Sequence, residues 1–242
     1  YQFIENFDLI KKLIFDESHF KIFMYGNTNV EILKKNLLFS KYYFNNKKKC
    51  VINKSILFDK EIDILHPNKK ETNNCLSLYY YISEFSVDKI SMLLLFSSSI
   101  QQKFYDSIRT KQQFGYLVKC MITKTNSEYY FIQKVQSERS IDDIENAINK
   151  FNESFVLNYK EDGFDKLKKS LHDELKEPDN STYETYSRFQ NEISNNKYLF
   201  DRSIILADKV INIKFTDFMF FMKQFLYDLK PVKIIVRGNK KK

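Results

Sequence analysis

The residues of this chain best suited to chemistry lie in one stretch, residues 104–118, with the sequence FYDSIRTKQQFGYLV. Arg109 follows Tyr105 by four residues, a spacing that places two side chains on one face of a helix. Tyr116 follows Gly115 in the strand predicted next, so Arg109 and Tyr116 can approach each other across the turn. An arginine offers a fixed fork of donors and a tyrosine one hydroxyl. Together they could hold a peptide carbonyl or an oxyanion next to a metal.

A purely structural role for the same two residues is the alternative. Arg109 would then be a buried arginine that ties down the turn, and Tyr116 would be a half-buried strand residue. Composition alone favours this interpretation, because strand tyrosines and arginines at helix ends are common without any function. The residues by themselves leave both interpretations open.

Metal ligands are not predicted within this chain. The histidines are His19, His66 and His172, and they are isolated from one another in sequence. None belongs to an HExxH or HxxEH motif, whose helical spacing supplies two zinc ligands in hydrolases. Loops that bind phosphate need several glycines, and the chain has only 4. Zinc chemistry or nucleotide chemistry by this chain alone is therefore not expected.

Charge and hydropathy restrict the partners. The formal net charge is +8 and the pI is near 9.1, which would allow nucleic acid, acidic membranes or acidic peptides as partners. Most lysines are scattered, and no RNP-like or zinc-knuckle pattern appears, so no nucleic-acid partner is expected. No run of about 18 apolar residues is present, so no membrane partner is expected either.

The number and spacing of the cysteines indicate the redox state of the cellular compartment. Cys50, Cys75 and Cys120 are odd in number and have no CxxC spacing. This pattern fits unpaired thiols in a reducing compartment better than a disulfide framework. We therefore expect a cytoplasmic protein, although a targeting signal upstream of Tyr1 could be missing.

Hydrophobic periodicity predicts an α+β fold with a mostly antiparallel sheet and helices covering one of its faces. Residues 56–65 and 74–82 are expected to pair as antiparallel neighbours, and the long helix from residue 87 is expected to break after residue 100. The other predicted strands are 19–25, 114–123, 128–137 and 232–236. The predicted helices are 3–15, 28–38, 87–100, 102–113, 141–157, 163–175, 181–195 and 216–229.

The stretch FYDSIRTKQQFGYLV resembles a signature in the carboxy-terminal half of the insulin-degrading-enzyme-like peptidases, the inverted-zincin (M16) family. The resemblance continues in order along nearly the whole chain. It includes FKIFMYGN, NNCLSLYYYI, VQSE at residues 135–138 and NEISNNKYLFDR at residues 191–202. Three conservative departures occur in the signature, where Ile108 and Phe114 replace leucine and Tyr105 replaces phenylalanine.

The resemblance implies an M16 peptidase-like roll and a two-halved zinc peptidase that closes around a chamber. Residues 1–18 would be the tail of the preceding domain or a lead-in helix, residues 19–238 the carboxy-terminal-type domain, and residues 239–242 a basic tail. The zinc motif HxxEH would lie in an amino-terminal half outside this chain, covalently attached or separate. This chain holds no cofactor of its own and should be inactive alone.

By position, the resemblance assigns Arg109 and Tyr116 to the substrate backbone and to support of the transition state, and Tyr105 to the pocket after the cleaved bond. Peptides are the implied substrates, and the net positive charge would favour acidic ones. The alternatives are a non-catalytic M16-like subunit, as in the processing-peptidase or respiratory-complex core families, and, more remotely, a basic nucleic-acid-binding module.

Overall fold

A computed structural model describes the chain over residues 6–11, 22–27, 29–40, 61–125 and 128–239. The chain divides into two compact units. The first consists of Tyr1–Asn53 and Pro178–Phe200, and the second of Lys54–Glu177 and Asp201–Lys242. The boundaries 1–18, 19–238 and 239–242 stay a prediction.

The second unit is built on a sheet of five strands, β1 (Ile62–Leu65), β2 (Asn74–Glu84), β3 (Leu117–Thr125), β4 (Glu128–Ser137) and β5 (Val232–Arg237). Their order across the sheet is β1, β5, β2, β4, β3. Only the β1 and β5 pair is parallel among the neighbouring strands described, and the other three pairs are antiparallel. The predicted mostly antiparallel α+β fold is confirmed.

The first strand has a different partner from the one expected. The predicted antiparallel pairing of residues 56–65 with residues 74–82 is wrong for the described residues 62–65, because β5 lies between β1 and β2. Local composition identifies strands but not their partners. The pairing with β5 is fixed in part by Arg237, which donates to both carboxylate oxygens of Asp63 at N···O distances of 2.7–2.9 Å.

The helices described between residues 29 and 239 are α1 (Val30–Ser40), α2 (Val87–Tyr105), α3 (Ile141–Asn158), α4 (Phe164–Lys176), α5 (Thr182–Ser194), α6 (Arg202–Ile211) and α7 (Phe215–Lys223). Two π-helical segments, Asp106–Lys111 and Gln224–Asp228, continue α2 and α7. Within the described helices, none combines the length and apolar composition that a membrane span requires.

One face of the sheet packs against the helices. The ring of Phe131 in β4 lies 5.0 Å from that of Phe96 in α2 and 5.6 Å from that of Phe225, between centroids. These three side chains are at most 1% exposed. Each such burial stabilises the fold by about 1.5–3 kcal/mol. The expectation that helices cover one face of the sheet is confirmed, and this face is called the helix-facing face below.

A buried polar link joins α3 to the same face. The Gln133 amide, fully buried in β4, donates to Asn152 Oδ1 at 2.8 Å and accepts from Asn152 Nδ2 at 3.1 Å. Its Oε1 also accepts from the Tyr80 hydroxyl at 3.2 Å, and burial raises the pKa of that hydroxyl. Since buried polar groups cost free energy unless they are paired, these bonds fix how α3 lies on the sheet.

The helix before the candidate site runs without the predicted break. Ile100 is fully buried inside α2, which continues to Tyr105 and then widens. The break after residue 100 was inferred from local polarity, but the glutamines there lie on the exposed side of a continuous helix. The helix α6 was not predicted at all.

The first unit contains α1 and α5, and its described residues include a cluster of exposed and half-buried aromatic side chains. Phe23 stacks on Tyr186 at 5.3 Å, and Phe189 contacts Tyr25 and Phe200 at 5.6 and 5.0 Å, all between ring centroids. The described residues 22–25 are not in a strand, contrary to the prediction for residues 19–25, whose remainder lies outside the described residues. The predicted helix 3–15 is described only at residues 7–11, which are helical.

Candidate functional site

The candidate site lies on the turn between the π-helical segment Asp106–Lys111 and β3. In that segment the helix bonds from residue i to residue i+5, and such widened turns are frequent at functional sites. The amide of Gln112 donates to the Ser107 carbonyl at 3.2 Å, and the amide of Phe114 donates to the Ile108 carbonyl at 3.0 Å. The widened turn therefore ends in a tight backbone reversal just before Tyr116.

Two residues of the reversal have left-handed backbone angles. Gln113 has φ 55° and Gly115 has φ 32°. A Cβ atom on Gly115 would lie 1.6 Å from the carbonyl oxygen of Gln136 in β4. Only glycine can occupy this position without moving the backbone. The turn therefore packs directly against the end of β4.

Arg139 fastens the turn from outside. Its Nη2 donates to the carbonyl oxygen of Gln112 at 2.9 Å, and its guanidinium carbon lies 4.2 Å from the centroid of the Phe114 ring. The Phe114 side chain is only 3% exposed. Arg139 thus does what the structural interpretation assigned to Arg109. The sequence contained no signal for this role beyond an arginine next to a helix start.

Arg109 and Tyr116 are brought together by this arrangement. The guanidinium carbon of Arg109 lies 5.4 Å from the centroid of the Tyr116 ring, within the range of a cation–π contact. Arg109 is half-buried, and Tyr116 is 91% exposed. In the described part of the chain, neither the guanidinium nor the phenol hydroxyl makes a hydrogen bond or ion pair, so their polar atoms are uncommitted there.

The structural interpretation of Tyr116 is wrong. The strand β3 begins at Leu117 instead of residue 114, so Tyr116 precedes it. Local composition extended the strand over the reversal, because it cannot detect that Gln113 and Gly115 have positive φ angles. A side chain that is 91% exposed has no place in the core.

Tyr105 is the last residue of α2 and is 43% exposed. In the described part of the chain, no hydrogen bond, ring contact or cation–π contact links it to Arg109 or Tyr116. The four-residue spacing was expected to place Tyr105 and Arg109 on one face. A π-helical turn brings the residue five positions on, not four, over a given side chain, so this expectation does not follow from the spacing.

Arg109 and Tyr116 do not line either of two clefts of the described chain. One of about 340 Å³ runs between α2 and α3 and is lined by residues that include Lys103, Ser107 and Asn158. Another of about 430 Å³ is lined by residues that include Phe221 and Phe225. The pair Arg109 and Tyr116 therefore stands on an exposed turn and not inside either of these clefts.

No metal site is formed by the described residues. Among them, no group of three His, Cys, Asp or Glu side chains could hold a metal ion. His19 lies outside the described residues, while the His66 ring contacts its own turn at Asn68 and the His172 ring contacts Asp173. The described residues therefore do not fit a zinc centre.

Comparison with known proteins identifies relatives of this chain. Residues 95–190, which include the candidate site, match the family described as PQQ synthase PqqF-like, C-terminal lobe domain 4. Insulin-degrading enzyme of Drosophila melanogaster is 26% identical over 181 residues, which are 74% of this chain and 18% of that enzyme. The chain thus spans less than a fifth of that relative's length.

Solved structures share the fold. The crystal structure of pitrilysin matches with a TM-score of 0.69 at 15% identity, over 90% of this chain and 24% of pitrilysin. The peptidase M16 inactive domain from Pseudomonas fluorescens matches with a TM-score of 0.67 at 11% identity, over 90% of this chain and 53% of that domain. The predicted M16 peptidase-like roll is confirmed.

Proposed function

We propose, from the premise that this chain is a domain of the M16 peptidase family of the carboxy-terminal-lobe type, that it forms one wall of a peptide-binding chamber. In this proposal Arg109 and Tyr116 belong to the site where peptides are cleaved. The zinc motif lies in another part of the enzyme, covalently attached or separate. The observation that carries the proposal is the contact between the half-buried Arg109 and the exposed Tyr116, whose guanidinium carbon and ring centroid lie 5.4 Å apart and whose polar groups are uncommitted in the described part of the chain.

The geometry suits a peptide carbonyl. The N–H groups of a guanidinium lie at its edge. In a cation–π contact with a ring they can therefore still donate to a peptide carbonyl. The Tyr116 hydroxyl can donate to the same oxygen. When negative charge develops on that oxygen, both donors are already positioned. Loss of one such donor typically costs about a hundredfold to a thousandfold in kcat.

The exposed position of the pair supports a chamber wall. A peptide that contacts Arg109 and Tyr116 needs a second surface to enclose it, because neither residue lines the clefts of about 340 and 430 Å³ in the described chain. A partner half that faces this turn would supply that surface and the metal. This chain alone is therefore expected to be inactive.

The test is peptide turnover by the full-length protein. Tyr116→Phe and Arg109→Ala are expected to lower kcat by about a hundredfold at equal zinc content. Tyr183→Phe is the matched control, since Tyr183 is 76% exposed on α5 and should leave turnover unchanged. Unchanged turnover in both site variants, with the same zinc content, would show that the pair has only a structural role.

Tyr105 is proposed to line the pocket that receives the residue after the cleaved bond. Its side chain is 43% exposed, and Tyr105 ends α2 four residues before Arg109. Tyr105→Ala should raise KM for substrates with a large side chain at that position and leave kcat nearly unchanged. An equal effect on substrates with a small side chain there would contradict this role.

A non-catalytic M16-like subunit is the second candidate. It is favoured by the match to a domain described as an inactive M16 peptidase domain. The two candidates differ in whether the rest of the enzyme carries HxxEH and in whether the full-length protein cleaves peptides. Neither candidate has nucleic acid or a membrane as its partner.

The cytoplasm is the proposed compartment. The described cysteines Cys75 and Cys120 are both free thiols, as expected under reducing conditions. They lie on strands β2 and β3, which β4 separates. Cell fractionation would check this, and a periplasmic or organellar location of the full-length protein would contradict it.

A further inference from the structure

Two lysines lie directly opposite each other on the face of the sheet away from α2 and α3, called the second face here. In the register of β3 and β4, Lys119 pairs with Lys134. Side chains alternate along a strand, and the neighbouring Gln133 contacts α3 on the helix-facing face. The ammonium groups of Lys119 and Lys134 are thus on the second face, where Lys119 is exposed and Lys134 half-buried.

This arrangement is unfavourable without an anion. Directly opposed residues of neighbouring antiparallel strands have Cβ atoms about 4.5–5.5 Å apart, and like charges at that distance destabilise a sheet. Within the part of the chain that the structure describes, neither Lys119 nor Lys134 takes part in an ion pair or side-chain hydrogen bond. Sheets usually avoid such a pair or neutralise it.

Among the described residues, the strand positions next to the two lysines on the second face carry no carboxylate. Sequence alternation places Leu117, Met121 and Thr123 of β3 and Tyr130, Ile132 and Gln136 of β4 beside the two lysines. From β2, Ser77 is paired with Lys134. The acidic residues of β2 and β4, Glu84 and Glu128, are paired with each other at the far end of the sheet. Glu128 is six residues from Lys134, or about 20 Å along the strand.

The lysine pair is close to the candidate site. Lys119 lies in β3, three residues after Tyr116, which directly precedes that strand; three residues of extended chain span about 10 Å. That is about the length of three residues of an extended peptide. We propose that Lys119 and Lys134 bind an acidic side chain of the peptide substrate, two to four residues from the carbonyl held by Arg109 and Tyr116. This inference rests on the proposed function and names its substrate class.

The test is equilibrium binding of short fluorescein-labelled peptides to the full-length protein, with a chelator present so that none is cleaved. The peptides differ only by Glu or Gln at successive positions. Wild type should bind the best-placed Glu peptide about fivefold more tightly than the matching Gln peptide. The ratio of the two dissociation constants, Gln over Glu, should fall as the salt concentration is raised. Lys119→Gln with Lys134→Gln should reduce the ratio to about one.

The control is Lys166→Gln with Lys169→Gln, two exposed lysines of α4 that change the net charge equally. It should keep the wild-type ratio. Equal binding of Glu and Gln peptides by wild type at every position would overturn the inference, as would an unchanged ratio in the Lys119 and Lys134 variant.

The proposed function can fail separately from this inference. If Tyr116→Phe leaves turnover unchanged while the Glu preference depends on the lysine pair, the acidic-peptide site stands without the transition-state role. If Tyr116→Phe abolishes turnover while the Glu and Gln peptides bind alike, the transition-state role stands and the acidic-peptide site does not.

Discussion

The guanidinium of Arg139 donates to the carbonyl oxygen of Gln112 at 2.9 Å. This bond joins the second residue before α3 to the far side of the turn that carries Tyr116. Stacking of the same guanidinium on the Phe114 ring adds a second point of attachment at 4.2 Å. Arg109, by contrast, is half-buried, and its guanidinium contacts the Tyr116 ring.

The first prediction concerns Arg139 as a positioning residue. Arg139→Ala should lower kcat of the full-length protein about tenfold, because the turn would no longer hold Tyr116 in place. Arg139→Lys should restore part of the loss if it reaches the Gln112 carbonyl. In a Tyr116→Phe background, Arg139→Ala should add almost nothing, since both changes act through one hydroxyl. Losses that simply multiply in the double variant would contradict this role.

The second prediction concerns the glycine of the turn. Gly115→Ala should destabilise the chain by at least about 3 kcal/mol, because its Cβ would meet the Gln136 carbonyl. Gly163→Ala is the matched control. Gly163 also has a positive φ, 79°, but a Cβ there meets nothing within 4 Å, so its cost should be only about 1–2 kcal/mol. Urea unfolding of both variants measures the difference, and equal costs would contradict the close contact.

The third prediction concerns the buried amide pair. Gln133→Leu should lower the free energy of unfolding by about 2–3 kcal/mol, because it leaves the Asn152 amide and the Tyr80 hydroxyl without their partner. Asn152→Leu should lower the free energy of unfolding much less in the Gln133→Leu variant than it does in the wild-type protein. Denaturant unfolding of the four proteins gives the coupling free energy. A coupling near zero would mean that the two amides do not depend on each other.

The fourth prediction concerns alkaline stability. Burial raises the pKa of the Cys120 thiol from 9.0 to about 12. The unfolded chain therefore loses this proton at lower pH than the folded chain does. The corresponding stability is fully present below pH 9, and it declines as the pH rises to about 12, by up to about 1.4 kcal/mol per pH unit.

Denaturant unfolding of wild type and Cys120→Ala across this pH range tests the assignment. Cys120→Ala should be less stable than wild type at neutral pH, because it leaves a cavity, but its stability should fall less steeply above pH 9. The buried Tyr80 hydroxyl, whose pKa is also raised, gives a remaining slope in both proteins. Identical slopes in the two proteins would contradict the role of Cys120.

Local patterns in the sequence were sufficient for most of the fold. The strand-like composition of residues 74–82 predicts β2. Ser140 before an amphipathic run predicts the start of α3, where its hydroxyl accepts from the Asp143 amide. Both signals act over a few residues, so they do not depend on the rest of the chain.

The features that could not be predicted depend on residues distant in sequence. The parallel pairing of β1 with β5 joins segments separated by about 170 residues, and no local pattern encodes it. The opposition of Lys119 and Lys134 depends on the exact register of β3 and β4. The π-helical segment that continues α2 is followed by a turn that Arg139, 27 residues after Gln112, holds by its bond to the Gln112 carbonyl. Helix α6 is different, since its buried Leu206 and Val210 are four residues apart and could have indicated it.

The candidate site was predicted in part for the same reason. Arg109 and Tyr116 are seven residues apart, so a local argument could anticipate that they meet. The exposure of Tyr116 could not be anticipated, because it follows from the contact between Gly115 and the end of β4.

The position of β5 inside the sheet has a consequence for how the chain is made. Of the five strands described, β5 is the last to be synthesised, and it lies between β1 and β2. Until β5 has been synthesised, β1 lacks the neighbour it has in the described sheet, and one edge of β2 is exposed. Strand edges of this kind favour pairing with other chains. The sheet can therefore be completed only after translation has passed Arg237, and nascent chains that stop earlier should depend on chaperones.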